Sequence, residues 1–423
     1  MMQVKQLVEP NPVEGAASSP NPNAQSPPNP RSGDPMAPPP PPPPPELMDD
    51  VTAEILLRLP PDEPELLFRA ALVCKPWLRV LCDPAFLRRY RAFHGAPPLL
   101  GVLHRFAVVQ GDPAPVFTPT TAVPPFHHPG ADCRRSRDLD CRHGRVLFHV
   151  MDDGMHLVVW DPVTGDRHRV PEVDIDWMTY TAAVLCAVPG CDHLDCNGGP
   201  FLVVFVATDD GDELIKASVY SSETSAWSVP ASVDNGGWRS YQIGRNYVQP
   251  RRGTLIGDEI FFTIARGTGI VKYHWGNNCL SLIKPPPPAM YDNMVTLMVM
   301  DDGSLGFIGT ADSSLHLWSR KVNLGADAEW VQCRVIELET VIPMVKPHKI
   351  ACVAGFAEGL DLVFVSTNVG LFAIELKSGR VKKIDEPGTY YAVLPYMSFY
   401  TPDRGILSSL GRTYRSLIRR PTS

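Results

Sequence analysis

Long hydrophobic runs are missing from this sequence of 423 residues. The longest apolar stretches, such as Phe201–Thr208, are far shorter than the ~18 consecutive apolar residues that a membrane-spanning helix requires. Residues 1–20 contain no basic start followed by an apolar run, so we expect no secretory signal. The sequence therefore excludes a helical membrane protein, and Phe201–Thr208 has the length of a buried strand instead.

Positive charge is also in deficit. The 39 Lys and Arg residues against 46 Asp and Glu give a formal net charge of −7, which argues against a generally basic nucleic-acid-binding face. The ten cysteines are scattered along the whole chain rather than concentrated in a small disulfide framework. This distribution favours free thiols in a reducing compartment, and we expect a cytoplasmic or nuclear protein.

Motifs of common catalytic sites are absent as well. The sequence has no G-x-S-x-G, no G-x-x-x-x-G-K-[ST] and no H-E-x-x-H. Asp-Asp-Gly occurs at 152–154, 209–211 and 301–303, and we interpret these sequences as hairpin turns because Asp-Gly is a strong hairpin signal. The sequence therefore predicts no catalytic residue and no cofactor.

Proline is concentrated at the N-terminus, where residues 1–45 hold 16 of the 45 prolines and end in the run Pro38–Pro45. This segment has almost no large apolar side chains, so we expect it to be disordered. The proline run predicts a polyproline II rod about 25 Å long, at ~3.1 Å per residue. It serves either as a spacer or as a ligand for a proline-binding groove.

Residues 46–95 predict four short helices. Val51, Ile55 and Leu56 recur at helical spacing until Pro60 and Pro61 end the first helix. The predicted helix boundaries are caps at Asp49 and Asp50, a capping box of Asp62 and Glu65, an Asp83-Pro84 cap, and Gly95 at the last end. Because so small a module buries little of its own surface, we expect the following domain or another protein to cover part of its apolar face.

Residues 98–400 read as an all-β region, in which one strand–turn–strand pattern recurs. Taking the recurring positions as equivalent gives spacings of 60, 53, 44 and 57 residues; they are Trp160, Tyr220, Tyr273, Leu317 and Ile374. Four strands per unit at ~40–50 residues indicate a β-propeller, and the length of the region allows about six blades. A pair of β-sandwiches is the alternative.

One cluster has the residue types of a zinc site: Cys186, Cys191, His193 and Cys196. Its spacing is C-x4-C-x-H-x2-C rather than two Cys-x2-Cys pairs, and a ligand two residues from Cys191 strains the geometry. We therefore expect an ordinary inter-strand loop and no metal. Cys133, Cys141 and His143 are interpreted as part of a salt-bridged connector, and His127-His128 as a loop pair.

The run from Leu47 to Pro60, followed by Leu72-Val73-Cys74-Lys75-Pro76-Trp77, closely resembles an F-box. The family pattern is Leu-Pro, an Ile-Leu helix, Leu-Pro and then Val-Cys-Lys-x-Trp. This sequence departs from it at the start, where Leu47-Met48 replaces Leu-Pro. With its β repeats, the chain is similar to plant-type F-box proteins that carry a C-terminal F-box-associated, kelch-like β-propeller.

The resemblance implies a non-catalytic substrate receptor of an SCF-type (Skp–cullin–F-box) ubiquitin ligase. The F-box would dock on a Skp-type adaptor and through it on the cullin and RING subunits, while the propeller binds an unknown target protein. By family analogy, the residues at or near the adaptor interface are Leu47, Val51, Ile55, Leu56, Leu59, Pro60, Leu67, Val73, Cys74 and Trp77. Trp77 is equally compatible with the core of the module.

Two other functions stay open at this point. The first is a scaffold that binds the Skp adaptor without recruiting cullin. The second is a propeller enzyme with a metal-dependent hydrolase site, which requires acids or histidines along the central channel. No nucleic-acid or membrane partner is expected.

The expected organisation is a multidomain chain with a small all-α module followed by an all-β propeller. Its parts are a disordered Pro-rich tail (1–45), an F-box (46–95), a propeller-like F-box-associated domain (96–402) and a basic C-terminal tail (403–423).

Overall fold

In the computed structural model, the described residues are 48–106, 116–122, 135–151, 156–194, 196, 198–234, 247–287, 295–311, 313–321, 328–342, 351–388 and 390–402. The predicted Pro-rich and basic tails, Leu47, His127-His128 and Cys133 lie outside them. The described helices and sheets belong to one compact unit. No helix among these residues is long and apolar enough to cross a membrane.

Four helices come first, and we call them the helical module: α1 (Asp49–Leu56), α2 (Pro64–Ala71), α3 (Lys75–Leu81) and α4 (Pro84–His94). The predicted cap of α4 is confirmed, because the Asp83 carboxylate accepts hydrogen bonds from the backbone N–H groups of Ala85 and Phe86 at 3.3 and 3.4 Å. Gly95, with φ 72°, ends this helix as expected.

The predicted starts of the first two helices are wrong. Met48 is the N-cap of α1, so Asp49 and Asp50 lie in the first turn of the helix. Their negative charges interact favourably with the helix dipole there, but neither residue caps the helix. Pro64 occupies the first turn of α2 and makes Glu63 the N-cap, with no side-chain capping bond. Asp62 therefore lies one residue too early for the predicted capping box.

The β region contains 24 described strands, and α5 (Leu338–Val341) follows one of them. Their bounds are β1 (Leu99–Phe106), β2 (Val116–Pro119), β3 (Ser136–Arg142), β4 (Arg145–Val150), β5 (His156–Trp160), β6 (Arg167–Val170), β7 (Trp177–Cys186), β8 (Phe201–Asp209), β9 (Ile215–Ser221), β10 (Ala226–Trp227), β11 (Ala231–Val233), β12 (Thr254–Ile256), β13 (Glu259–Thr263), β14 (Ile270–His274), β15 (Cys279–Ile283), β16 (Val295–Val299), β17 (Leu305–Ala311), β18 (Ser314–Lys321), β19 (Glu329–Glu337), β20 (Cys352–Ala357), β21 (Leu362–Thr367), β22 (Gly370–Glu375), β23 (Val381–Asp385) and β24 (Tyr390–Met397).

The described strands form six antiparallel sheets, which are the blades of a propeller. Five blades take four consecutive strands each, starting at β3, β7, β12, β16 and β20, and β11 adds to the second of them. The sixth has the order β2-β1-β24, so the last strand pairs with the first and closes the ring. Strand β24 lies beside β3 and β20. The expected number of about six blades is confirmed.

The five equivalent positions of the sequence repeat all fall on the third strand of their blades, β5, β9, β14, β18 and β22. Their side chains are nearly fully buried; the residues are Trp160, Tyr220, Tyr273, Leu317 and Ile374. The recurrence in the sequence is therefore the recurrence of the blade, and it excludes the β-sandwich alternative.

The Asp-Asp-Gly turns behave as expected where the structure describes them. At 209–211 the backbone N–H groups of Gly211 and Asp212 donate to the Asp209 carboxylate in the turn between β8 and β9. The sequence at 301–303 lies in the turn between β16 and β17, where Gly303 adopts φ 75°. The third copy, at 152–154, lies outside the described residues.

Candidate functional site

Large apolar side chains are exposed on α1 and at the turn between α2 and α3. On α1, Met48, Val51 and Ile55 are 72, 39 and 47% exposed. At the turn, Leu72 and Val73 are 57 and 64% exposed. We call these five residues the exposed apolar surface of the module. Phe93 on α4 is also 54% exposed. Several well-exposed large apolar side chains on one small module indicate a site of interaction more strongly than a lone exposed leucine does.

The structure separates the predicted adaptor residues into three groups. Val51, Ile55, Val73 and Cys74 are exposed, whereas Leu59, Pro60 and Trp77 are partly buried. Leu56 and Leu67 are each only 1% exposed and lie in the core of the module. The family analogy places these two at or near the interface, and their burial gives them a packing role inside the module, between its helices.

Met48 and Leu72 belong to the exposed apolar surface but were not among the predicted contacts. The family pattern has proline at the position of Met48, so it does not identify this side chain as a contact. Leu72 directly precedes the Val-Cys-Lys-x-Trp part of the family pattern and is not part of it. The end of α2 at Ala71 turns it outward, a boundary that periodicity alone does not fix.

The helical module is mounted on the propeller through aromatic contacts. The rings of Phe68 and Tyr400 stack with their centroids 5.0 Å apart, and the Tyr90 ring meets Phe399 edge-on at 6.1 Å. Phe399 and Tyr400 come directly after β24, the strand that closes the ring. The expected cover for the small module therefore comes, on this side, from the propeller of the same chain.

Leu194, in the loop between β7 and β8, also packs into the core of the module. Loops that join the first and second strands of a blade lie on one face of a propeller, as does the end of β24. The module therefore occupies this face. The opposite face carries the connections between second and third strands and between successive blades.

A cleft of about 330 Å³ lies between the end of α4 and this face of the propeller. Its lining mixes apolar side chains with ionisable ones, and the ionisable residues include Arg91, Arg142, His143, His193, Arg252 and Glu358. Arg142 donates to the Gly253 carbonyl at 2.6 Å and lies 3.4 Å from a carboxylate oxygen of Glu358. These contacts bring together three blades that are far apart in the sequence.

The centre of the ring is filled by arginines that the sequence reasoning missed. Arg251, which is 6% exposed, donates to the carbonyls of Val295, Val353 and Tyr391 at 3.0, 3.1 and 2.6 Å. These acceptors lie on β16, β20 and β24. Strands β16 and β20 are the first strands of their blades, and β24, which lies beside β20, takes the same inner position in the sixth blade. Arg251 therefore ties the middle of the propeller together.

The neighbouring Arg252 pairs with two acids across the ring, Asp140 at 3.0 Å and Glu358 at 3.2 Å. Burial by itself raises the pKa of Glu358, but Arg142 and Arg252 outweigh it and hold that pKa below its usual value. The central acids are thus engaged in ion pairs that join blades. This arrangement gives no support to the hydrolase alternative, which needs acids available to a metal.

Cys141 and His143 do not lie in a connector, as the sequence suggested. Strand β3 runs from Ser136 to Arg142 and includes Cys141, which is buried, and His143 follows in the turn to β4. Two residues of this strand, Asp140 and Arg142, take part in the central ion-pair network. That is why a stretch so rich in charge forms an inner strand.

The cluster Cys186, Cys191, His193 and Cys196 lies where it was expected, at the end of β7 and in the loop before β8. Its geometry was not expected. One donor atom from each side chain lies within 4.8 Å of all the others. The described cysteines of this cluster are free thiols.

The described chain is thus a six-bladed propeller that carries a small helical module on one face. Residues 138–403 match the family model of the F-box protein AT5G49610-like β-propeller. The chain belongs to this family. It is also similar to F-box protein At5g03970 of Arabidopsis thaliana, with 22% identity over 370 residues that cover 80% of this chain and 83% of the relative. Together these matches show a plant F-box protein with a propeller.

Similar solved structures are more distant. A protein of unknown function from Desulfotomaculum acetoxidans has 12% identity and a TM-score of 0.40, covering 70% of this chain and 89% of that one. The extracellular domain of the two-component system BT4673 from B. thetaiotaomicron has 13% identity and a TM-score of 0.33. That match covers 60% of this chain and spans 28% of the length of the bacterial chain.

Proposed function

We propose that this chain is the substrate-recognition subunit of an SCF-type E3 ubiquitin ligase. Its helical module is an F-box that docks on a Skp-type adaptor and through it on the cullin and RING subunits. The propeller binds the target protein. The chain itself is non-catalytic and works in the cytoplasm or nucleus, where it holds a lysine of the target near the charged ubiquitin-conjugating subunit.

The observation that carries this proposal is the exposed apolar surface formed by Met48, Val51, Ile55, Leu72 and Val73. The propeller covers Phe68 and Tyr90 on another side of the module and leaves these five side chains open to solvent. Apolar side chains that are well exposed on a small helical unit gain free energy when a partner removes them from water. Membership of an F-box family makes a Skp-type adaptor the natural partner.

The remaining predicted residues take supporting roles in this proposal. Cys74 is exposed next to Val73 in the chain, and Leu59, Pro60 and Trp77 are partly buried. Leu56 and Leu67 fix the helices beneath it. Leu47 directly precedes Met48, and we assign it to the same interface on the family pattern alone.

The mounting of the module supports a receptor role. Because Phe68 stacks on Tyr400 and Leu194 enters the core of the module, adaptor-bound helices would carry the propeller in a set orientation. A ligase needs such orientation, since the target lysine must approach the ubiquitin donor. We assign target binding to the propeller face opposite the module, where the inter-blade connections lie.

Substitution of two exposed residues tests the adaptor interface. Ile55→Asp with Val73→Asp places two charges in the proposed contact, and we expect the affinity for purified Skp-type adaptor to fall about 100-fold or more. The matched control is Val331→Asp with Val335→Asp, since both valines are 45% exposed on β19 of the propeller. Isothermal titration of the full chain measures both variants, and equal affinity for wild type and the first variant would overturn the assignment.

The scaffold alternative makes a different prediction for the same complex. A scaffold forms a complex with the adaptor that lacks cullin, whereas a ligase receptor forms a complex that contains both adaptor and cullin. Proximity labelling with and without residues 46–95, under proteasome inhibition, then identifies the targets: proteins labelled by both forms are the target candidates, whereas those labelled only by the intact chain belong to the adaptor side.

A further inference from the structure

Four side chains around the β7–β8 loop have the donor set of a structural zinc site. Cys186 is the last residue of β7, and Cys191, His193 and Cys196 lie in the loop that leads to β8 at Phe201. One donor atom of each lies within 4.8 Å of the other three. Three thiolates and one imidazole make up a common ligand set for structural zinc.

The separations agree with those of ligands on one tetrahedral ion. With Zn–S at about 2.3 Å and Zn–N at about 2.0 Å, tetrahedral angles place two sulfurs about 3.8 Å apart and a sulfur and a nitrogen about 3.6 Å apart. The Sγ atoms of Cys191 and Cys196 are 3.6 Å apart, and Cys196 Sγ is 3.5 Å from His193 Nδ1. Little movement is needed to bring these donors around an ion.

The backbone removes the objection that the sequence spacing raised. His193 adopts a left-handed conformation with φ 59°, which is uncommon for a residue other than glycine. This turn lets His193 reach the same point as Cys191, only two residues earlier. It also brings the His193 N–H to 3.4 Å from Cys191 Sγ, where it donates a hydrogen bond that a thiolate accepts well.

Neighbouring side chains orient the loop from outside. The His143 ring stacks on the His193 ring, with centroids 4.0 Å apart and an interplanar angle of 4°. Arg145 donates to the carbonyls of Cys196 and Gly199, both at 2.6 Å. A Zn²⁺ ion with three thiolates has a net charge of −1, so a buried arginine beside the loop is favourable. Such outer contacts are typical of metal sites.

We propose that Cys186, Cys191, His193 and Cys196 bind one zinc ion, which fixes the β7–β8 loop against the helical module. Four protein ligands complete the coordination sphere, so the site is structural and not catalytic. Leu194 lies between two of the ligands and packs into the core of the module. The ion therefore stabilises the loop that packs against the module, and this role does not depend on which partner the module binds.

A disulfide is the competing use of these thiols. Cys191 and Cys196 are close enough that oxidation would join them after a small movement, and such a bond would remove two of the four zinc ligands. Intact mass under non-reducing conditions tells the two states apart, because a disulfide lowers the mass by two hydrogens. A disulfide in protein purified under reducing conditions would overturn the proposal.

Elemental analysis of the full chain, purified with a reductant and then dialysed, tests the site directly. We expect one equivalent of zinc in the wild-type chain and less than about a tenth in the Cys196→Ser and Cys191→Ser variants. Cys333→Ser is the matched control, since Cys333 is exposed on β19 and should keep the full equivalent. Absence of zinc from the wild type, or equal zinc in Cys196→Ser, would overturn the proposal.

A second measurement keeps the test decisive if the serine variants fail to fold. A chelator added to the wild-type chain should remove the ion, lower the melting temperature and open residues 187–200 to a protease. Zinc added back should reverse both changes, and cobalt should give the intense visible absorption of tetrahedral thiolate sites. If the chelator changes neither the melting temperature nor the protease cleavage, the chain does not hold a structural zinc ion.

Discussion

Several side chains of this propeller make long-range contacts that no local pattern in the sequence predicts. Arg251 donates to backbone carbonyls on three blades, with acceptors 44 to 140 residues further along the chain. Arg252, Asp140 and Glu358 form ion pairs across the same centre. A charged residue in a stretch without hydrophobic periodicity is predicted to be exposed to solvent. Only closure of the ring shows that these residues lie at its hub.

His149 is another residue whose role depends on its surroundings. It lies on β4, is 2% exposed, and has Nδ1 2.5 Å from the Tyr180 hydroxyl. Burial, together with the charges of Arg137 and His156, lowers its pKa to about 4. Protonation in the folded chain is therefore unfavourable at mildly acidic pH.

The lowered pKa of His149 predicts a pH dependence of stability. Between pH 6.5 and 4 the unfolded chain binds a proton at this site and the folded chain does not, so the free energy of unfolding falls as the pH falls. The full effect amounts to ~3 kcal/mol below pH 4. We expect His149→Asn to reduce this loss in denaturant titrations across that range. Identical pH profiles for wild type and His149→Asn would contradict this explanation.

At the scale of elements, the third strand of five blades was predictable, whereas the starts of α1 and α2 were not. Five blades share an apolar third strand that enters a tight turn, and this recurrence is local, so the sequence displays it. A helix start depends instead on where a proline first fits. Pro64 fixed the start of α2 and displaced the predicted capping box at Asp62.

Two of the acids that were predicted to cap helices, Asp83 and Asp62, lead to opposite predictions for stability. Asp83 accepts two backbone hydrogen bonds at the start of α4, so Asp83→Ala should lower the free energy of unfolding by about 1 kcal/mol. Asp62 makes no capping bond to α2, and Asp62→Ala should change stability little. Thermal and chemical denaturation of the two variants compare them directly, and a larger cost at Asp62 would show that the cap assignment is wrong.

The zinc ligands illustrate the same limit for a loop. Their residue types were visible in the sequence, but the spacing argued against tetrahedral geometry. The left-handed backbone at His193 changes that result, and a positive φ at a residue other than glycine has no sequence signal of its own. The exposed apolar surface was partly predictable, since Val51, Ile55 and Val73 came from the family pattern. Met48 and Leu72 required the actual ends of α1 and α2.

At the scale of the whole molecule, the helical module and the propeller are coupled through the strand that closes the ring. Strand β24 pairs with β1, and directly after it Phe399 and Tyr400 pack against the module. A small helical unit therefore gains part of its cover from the propeller. Of the apolar side chains of the module that stay exposed, we assign Met48, Val51, Ile55, Leu72 and Val73 to the adaptor.

The central claim is that this chain links a target to a cullin-based ligase through those side chains. The most direct measurement is the molar mass of the complex that elutes when the full chain is co-expressed with a Skp-type adaptor and cullin. We predict one complex with one copy of each protein, lost in Ile55→Asp with Val73→Asp and kept in Val331→Asp with Val335→Asp. Elution of the intact, folded chain by itself, with adaptor and cullin in a separate peak, would contradict the claim.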